Sequence, residues 1–152
     1  MPLYRIVYFS RIADGQDIAD SHDQILATSR RNNEHDAISG ALVVGNSFYL
    51  HCLEGRRGRV NATFQRIAAD RRHDGVELLE VLPVNERLFA AWPMLFIDLH
   101  QTPPVEIRRF TADHTFDPSL MTPLMAVSFL SAIAHYAVNH ASLSDESNVI
   151  LL

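Results

Sequence analysis

The side chains able to do chemistry fall at a few places in this sequence. Tyr8 lies in the apolar stretch Tyr4-Arg5-Ile6-Val7-Tyr8-Phe9, Ser29 leads into Arg30-Arg31-Asn32-Asn33, and His51 precedes Cys52-Leu53-Glu54-Gly55. Asp70-Arg71-Arg72-His73 and Trp92-Pro93-Met94 follow. A carboxamide such as Asn33 offers both a donor and an acceptor, and a neutral imidazole such as His51 has one of each and can exchange which nitrogen carries the proton. Each has a plainer use: Asn is a common helix C-cap, basic residues such as Arg72 and His73 complement a helix C-terminus, and a strand tyrosine is usually packing. Other chemistry is excluded. All 13 positive side chains are arginine, so lysine Schiff bases and the phosphate-loop lysine are ruled out. His135 and His140 are five apart, not the three or four that align metal ligands on a helix. No Gly-x-Ser-x-Gly elbow occurs, and Cys52 beside His51 on a strand would face the other way.

These residues need elements to position them. Tyr4 to Phe9 reads as a strand ending at Ala13-Asp14-Gly15, with Tyr4, Ile6 and Tyr8 on one face and Leu3, Val7 and Phe9 on the other. Both faces are apolar, so both should be covered. From about Gln16 the period becomes helical, with Ile18, Ile25, Ser29 and Asn32 on one stripe. Ile38 to Gly45 and Phe48 to Leu53 read as strands joined by a hairpin at Asn46-Ser47. A second helix carries Val60, Phe64 and Ile67 inward and ends near Arg71-Arg72-His73; Val76 to Val84 and Trp92 to Leu99 are two further strands. Trp92 and Met94 should then share a face. The expected class is α+β: a ferredoxin-like βαββαβ sheet with an extra strand, two helices on one face and C-terminal helices covering the other. Pro103-Pro104 mark a linker, dividing the chain into residues 1–100 and a 101–152 tail with helices between about Asp117 and Ala141, the first starting near Pro123.

Composition bounds the rest. The chain has 152 residues, 47% hydrophobic and 20% charged, with net charge −5, which suits a soluble globular domain and offers no basic field for nucleic acid. Leu120 to Val138 lacks charged residues, but Thr122, Pro123, Ser128, Ser131 and His135 argue for packing on protein rather than spanning lipid. A lone Cys52 and an N-terminus without a signal-peptide layout point to the cytoplasm.

Tyr8, Ser29 with Arg30-Arg31-Asn32-Asn33, Leu53-Glu54-Gly55, Asp70-Arg71-Arg72-His73 and Trp92-Pro93-Met94, in this order and at these spacings, resemble BLUF domains over roughly residues 2 to 99. The resemblance implies a flavin, FAD first and FMN or riboflavin otherwise, lying between the two helices above the sheet. It implies that Tyr8 supplies an electron and a proton to the excited flavin, and that Asn33, with Asn32 beside it, bonds the polar ring edge. Arg72 and His73 would touch the ring edge or ribityl side, oriented by Asp70. Ile25 and Ser29 would line the ring pocket, and Trp92 and Met94 would take part in signalling. Arg56, Arg57 and Arg59 could meet a phosphate, with a solvated helix start as the plainer use.

One position departs from the family. Two residues before the Leu-Glu-Gly leucine the family has a glutamine bridging the tyrosine and the flavin's N5/O4 edge, whose rearrangement in light shifts the spectrum; here the residue is His51. Alternation puts Tyr49, His51 and Leu53 on one face, so His51 should still face the flavin. It could bridge Tyr8 and the flavin, but it cannot reproduce the amide's separate NH2 and C=O ends. The expected function is a non-enzymatic blue-light photoreceptor with altered photochemistry, forming homo-oligomers and signalling to a separate protein partner. A light-insensitive scaffold of the same fold is the alternative, and an acylphosphatase-like hydrolase is disfavoured for want of an arginine in a phosphate-cradling loop near the first strand.

Overall fold

The computed structural model describes residues 2–14, 31–112, 115–140 and 149–150. Strand β1 (Leu3–Ile12) pairs antiparallel with β3 (Phe48–Arg56) on one side and β4 (His73–Val84) on the other. Strand β2 (Ser39–Gly45) pairs antiparallel with β3 and parallel with β5 (Leu95–Asp98), on which the two-residue β6 (Val149–Ile150) adds antiparallel. The order is β4-β1-β3-β2-β5-β6, the ferredoxin-like arrangement extended beyond β2. Asn46 and Ser47 both take positive φ, 47° and 65°, as a two-residue hairpin matched to strand twist requires.

Residues 31–36 are helical and form the described end of α1. The helix therefore runs past Asn32 and Asn33. The left-handed cap residue is Ala37, at φ 54°, so Asn33 is not the C-cap that its type suggested. Helix α2 (Arg57–Ala68) ends earlier than the sequence pattern predicted, leaving Asp70 to Arg72 in a turn, and His73 already begins β4. The β1–β4 pairing shifts register between Phe9 and Arg11, close to Gly75 at φ 61°. That irregularity lets β4 begin three residues before its apolar run.

The apolar side chains divide by sheet face. Ile6, Tyr8, Ile38 and Leu53 meet Val60, Phe64 and Ile67 of α2, the stripe the sequence indicated. Beside them on that face Leu42, Val44, Tyr49, Met94 and Phe96 form a second cluster. On the opposite face Val7, Phe9, Ala41, Val43, Leu50 and Cys52 pack against Phe129, Leu130, Ile133, Ala134 and Ala137 of α4 (Pro123–His140). A short α3 (Pro104–Arg108) contributes Ile107 to the same core. The tail thus covers the face that β1 would otherwise present to water, and α4 starts at Pro123, where a missing N–H costs nothing. Among the described residues no helix is long and apolar enough to cross a membrane.

Close packing has one obligatory glycine in the sheet. A Cβ at Gly40 would meet the Cys52 carbonyl oxygen at 2.1 Å, so β2 can lie against β3 there only with hydrogen as its side chain.

Candidate functional site

Antiparallel pairing sets Tyr8 directly across from His51 and Ser10 across from Tyr49. All four point to the α2 face, because even residues of β1 and odd residues of β3 share it. The Tyr8 hydroxyl and His51 Nδ1 are 2.7 Å apart, with both side chains buried. Phe64 of α2 packs edge-on against the Tyr8 ring, centroids 5.4 Å apart, which holds the phenol in place. Desolvation and the His73 charge lower the His51 pKa from 6.5 to about 3, so the imidazole is neutral at physiological pH. Burial also pushes the Tyr8 phenol well above its ordinary value, with smaller contributions from Tyr49 and Asp70. Its proton therefore stays on unless an acceptor is provided.

His51 Nε2 is buried and has no hydrogen-bond partner. The ring lines a cavity of about 140 Å³ with Asn32, Asn33, Leu53, Thr63, Arg66, Ile67, Asp70, Arg72 and Met94. Six residues proposed from sequence, namely Asn32, Asn33, His51, Asp70, Arg72 and Met94, thus meet around one opening. Ile25 and Ser29 lie outside the described residues.

Two of the expected residues are placed differently. Trp92 and Met94 do not share a face: Met94 lines the cavity, whereas Trp92 packs against the core on the α4 side. Neither belongs to a strand. Trp92 sits in a turn in which its N–H bonds the Phe89 carbonyl at 3.1 Å, and this turn breaks the period-two alternation on which the shared face depended. His73 is not on the cavity wall either; its Nδ1 lies 2.7 Å from the Ser10 hydroxyl. Asp70 does hold both of its neighbours. Its carboxylate accepts from the Arg72 backbone N–H at 2.9 Å and from the guanidinium, and its carbonyl accepts from His73 N–H at 3.2 Å. The Arg72 hydrogen bonds hold the Asp70 carboxyl below its usual range. Arg56, Arg57 and Arg59 are exposed, Arg57 lying over the Tyr4 ring and Arg59 pairing with Asp36, as a solvated helix start would have them.

Two contributors were not singled out from sequence. Ser10 is fully buried beneath His73; the same alternation that exposes Ile6 and Tyr8 to α2 continues to Ser10 and could have revealed it. In the sequence Glu54 stands out only as part of Leu53-Glu54-Gly55. Its buried carboxylate accepts from Leu88 N–H at 2.8 Å, Phe89 N–H at 2.9 Å and the Arg5 guanidinium at 3.2 Å. It ties the end of β3 to the loop that leads into Met94. Asn33 reaches the same segment, donating from Nδ2 to the Pro93 carbonyl at 2.7 Å.

The donor set suits a planar heterocycle with a polar edge. A buried imidazole nitrogen without a partner, a carboxamide pair and an Asp-braced arginine converge on one opening, and buried polar atoms in folded proteins ordinarily find partners. The chain resembles known proteins consistently with this. Its sequence is 29% identical over 105 residues to the photoactivated adenylate cyclase subunit beta of Euglena gracilis, a match covering 62% of this chain and 12% of that protein. The alpha subunit from the same organism matches at 29% over 90 residues, covering 59% of this chain and 9% of that one. The chain thus spans only a small part of the length of these curated relatives. Among solved structures, BlrB, a BLUF protein in its dark state, superposes with a TM-score of 0.72 at 27% identity, covering 89% of this chain and 97% of that chain. BlsA in its ground state gives 0.78 at 25% identity, covering 87% of each. A family model described as BLUF, sensors of blue-light using FAD, matches residues 3–95, and with well over half of its length matched the chain belongs to the BLUF family.

Proposed function

We propose that this chain is a flavin-binding blue-light receptor, with FAD as its cofactor, whose photochemistry is altered because His51 stands where the family's switching amide is expected. The carrying observation is the 2.7 Å contact between the Tyr8 hydroxyl and His51 Nδ1, with the other imidazole nitrogen buried, unpaired and lining the cavity. If Tyr8 donates to Nδ1, the proton of a neutral ring must sit on Nε2, which then presents a donor toward the cavity. The N5/O4 edge of an oxidised flavin offers acceptors, so this tautomer is the complementary one. Asn32 and Asn33 would bond the ring edge, and Arg72, braced by Asp70, would bond its carbonyl or ribityl oxygens.

A bound flavin supplies absorption of blue light and an excited state that draws an electron from a nearby phenol. The chain's own part is to manage the proton. Were Tyr8 to give up an electron its hydroxyl would become strongly acidic, and Nδ1 is positioned to take the proton, while Nε2 would pass the one it holds to the acceptor edge of the ring bound in front of it. The imidazole thereby changes tautomer without remaining a buried cation, which its depressed pKa would penalise. An amide rotates or tautomerises between an NH2 and a C=O end; an imidazole only exchanges N–H for N. The resulting shift of the flavin band therefore differs in size or lifetime from the family's usual one.

The chain would act as a receptor rather than an enzyme, in the cytoplasm, with residues 1–100 as the sensing domain and residues 101–152 as linker and helical cap. Leu120, Leu124 and Met125, 78%, 76% and 40% exposed, give the tail an apolar surface suited to a second copy or a separate protein partner. The test is a light-minus-dark spectrum of the purified protein and two variants. His51→Gln should produce a reversible red shift of the family type, and adding Tyr8→Phe should abolish it. A Gln variant that binds flavin but shows no shift refutes the role given to His51. Protein that stays colourless after flavin supplementation indicates the light-insensitive scaffold instead.

A further inference from the structure

Tyr49 is the second buried phenol on the cavity side of the sheet, two residues before His51 on β3. It is 1% exposed, and its hydroxyl has no hydrogen-bond partner. Its neighbours are already committed to one another. The Tyr8 hydroxyl is engaged with His51 Nδ1 and the Ser10 hydroxyl with His73 Nδ1, each at 2.7 Å, while the Arg72 guanidinium is held by Asp70. The Tyr49 ring packs on the His73 ring, centroids 5.0 Å apart and tilted by 56°, and shares an apolar cluster with Met94, which, unlike Tyr49, is itself on the cavity wall. Burial raises the Tyr49 phenol above its ordinary value, with Arg72 opposing and Asp70 adding to the rise, and both of these residues are on the cavity wall. Buried hydroxyls in folded proteins ordinarily find partners, and this one has none among groups that have paired off with one another.

We infer that Tyr49 is a ligand-binding residue whose hydroxyl donates a hydrogen bond to the flavin, on the Arg72–Asp70 side of the cavity and apart from the Tyr8–His51 pair. The inference rests on the flavin reading given above. It assigns the two phenols different tasks. Tyr8, already bonded to an imidazole that can take its proton, serves photochemistry. Tyr49 has no proton acceptor among the described residues and serves affinity and orientation.

The experiment compares the full chain with Tyr49→Phe, which keeps the ring and removes only the oxygen. Titration with FAD, followed by quenching of flavin fluorescence, should show Kd raised about 3- to 10-fold, the range of one net hydrogen bond. In the flavin-free protein the same change removes an unpaired buried hydroxyl, so the melting temperature should stay level or rise. A purely structural role would lower it. In the FAD-bound protein the flavin carbonyl bands in the infrared should move in Tyr49→Phe. Unchanged Kd and unchanged carbonyl bands, with the unmutated chain binding FAD, overturn the assignment of Tyr49 and leave the flavin reading standing. Failure of the unmutated chain to bind FAD overturns both. Should the variant not fold, the hydroxyl proton of Tyr49 in the unmutated chain decides: slowed exchange with solvent on adding FAD supports the bond, and unaltered exchange overturns it.

Discussion

Replacing His51 by glutamine should make the flavin-free protein more resistant to acid. His51 is 3% exposed, its Nε2 has no partner, and burial together with the His73 charge lowers its pKa from 6.5 to about 3. In the unfolded chain it titrates normally. Between these two values the unfolded state binds a proton that the folded state refuses, so stability is complete above about 6.5 and is lost as the pH falls toward 3. One pKa unit corresponds to 1.36 kcal/mol, so between pH 7 and pH 5 this single group should cost about 2 kcal/mol. That is a sizeable fraction of a typical domain's stability. His73, also lowered chiefly by burial, contributes in the same direction, but it is present in both proteins and cancels in the difference. Asp70, lowered by its hydrogen bonds with Arg72, loses its contribution only below the ordinary carboxylate range, and Tyr8 and Tyr49, raised by burial, act only at alkaline pH. The assay is urea denaturation at pH 7, 6 and 5, with the slope on urea checked for constancy. The unmutated chain should lose about 2 kcal/mol more than His51→Gln over that range. Equal losses would mean that His51 is not held neutral by burial, and the proton-handling role built on its neutrality would fall with it.

Glu54→Ala should destabilise the fold by about 3–5 kcal/mol, because Arg5 and two backbone N–H groups lose their buried acceptor together; chemical denaturation measures it, and a loss under 1 kcal/mol would refute the anchoring role. Gly40→Ala should give insoluble or unfolded protein, since its Cβ would fall 2.1 Å from a backbone oxygen of the neighbouring strand; a normal melting curve would contradict the packing described. Truncation after Gln101 should yield aggregation or a changed oligomer on a sizing column, because Val7, Phe9, Val43 and Leu50 lose the cover of Phe129, Leu130 and Ile133; a soluble species of unchanged oligomeric state would count against it.

Much of the site was legible because strands impose strict alternation. Once Tyr8 and His51 were each assigned a face, antiparallel pairing could bring them together, and they are direct partners. β1 divides into a Tyr8 face and a Val7 face for the same reason. What escaped was whatever depended on backbone outside regular elements. Parity alone puts Trp92 on the face of Met94, but the turn formed through the Phe89 carbonyl resets the count before the strand begins. The plainer use of Asn33 as a helix C-cap does not apply, since residues 31–36 are helical and nothing in a sequence announces Ala37 as a left-handed cap. The sequence does not show that His73 pairs with Ser10, a contact that depends on the register shift beside Gly75. Glu54 could not be read as an anchor, because the N–H groups it collects lie 34 and 35 residues away.

The bond from Asn33 to Pro93 also determines a polarity. A carboxamide can ordinarily be turned end for end, exchanging its oxygen for its nitrogen at little cost. Pro93 has a carbonyl but no N–H, so only one orientation satisfies the contact at 2.7 Å, and that is the one with the nitrogen toward the proline. Asn33 is therefore a keyed connector: its acceptor end and its remaining N–H are assigned to fixed sides before any ligand arrives. On the proposed reading, in which Asn33 bonds the ring edge, a heterocycle entering with its donors and acceptors reversed would have to break the proline contact, so an imino acid outside the cavity wall would dictate which way round a ring is read.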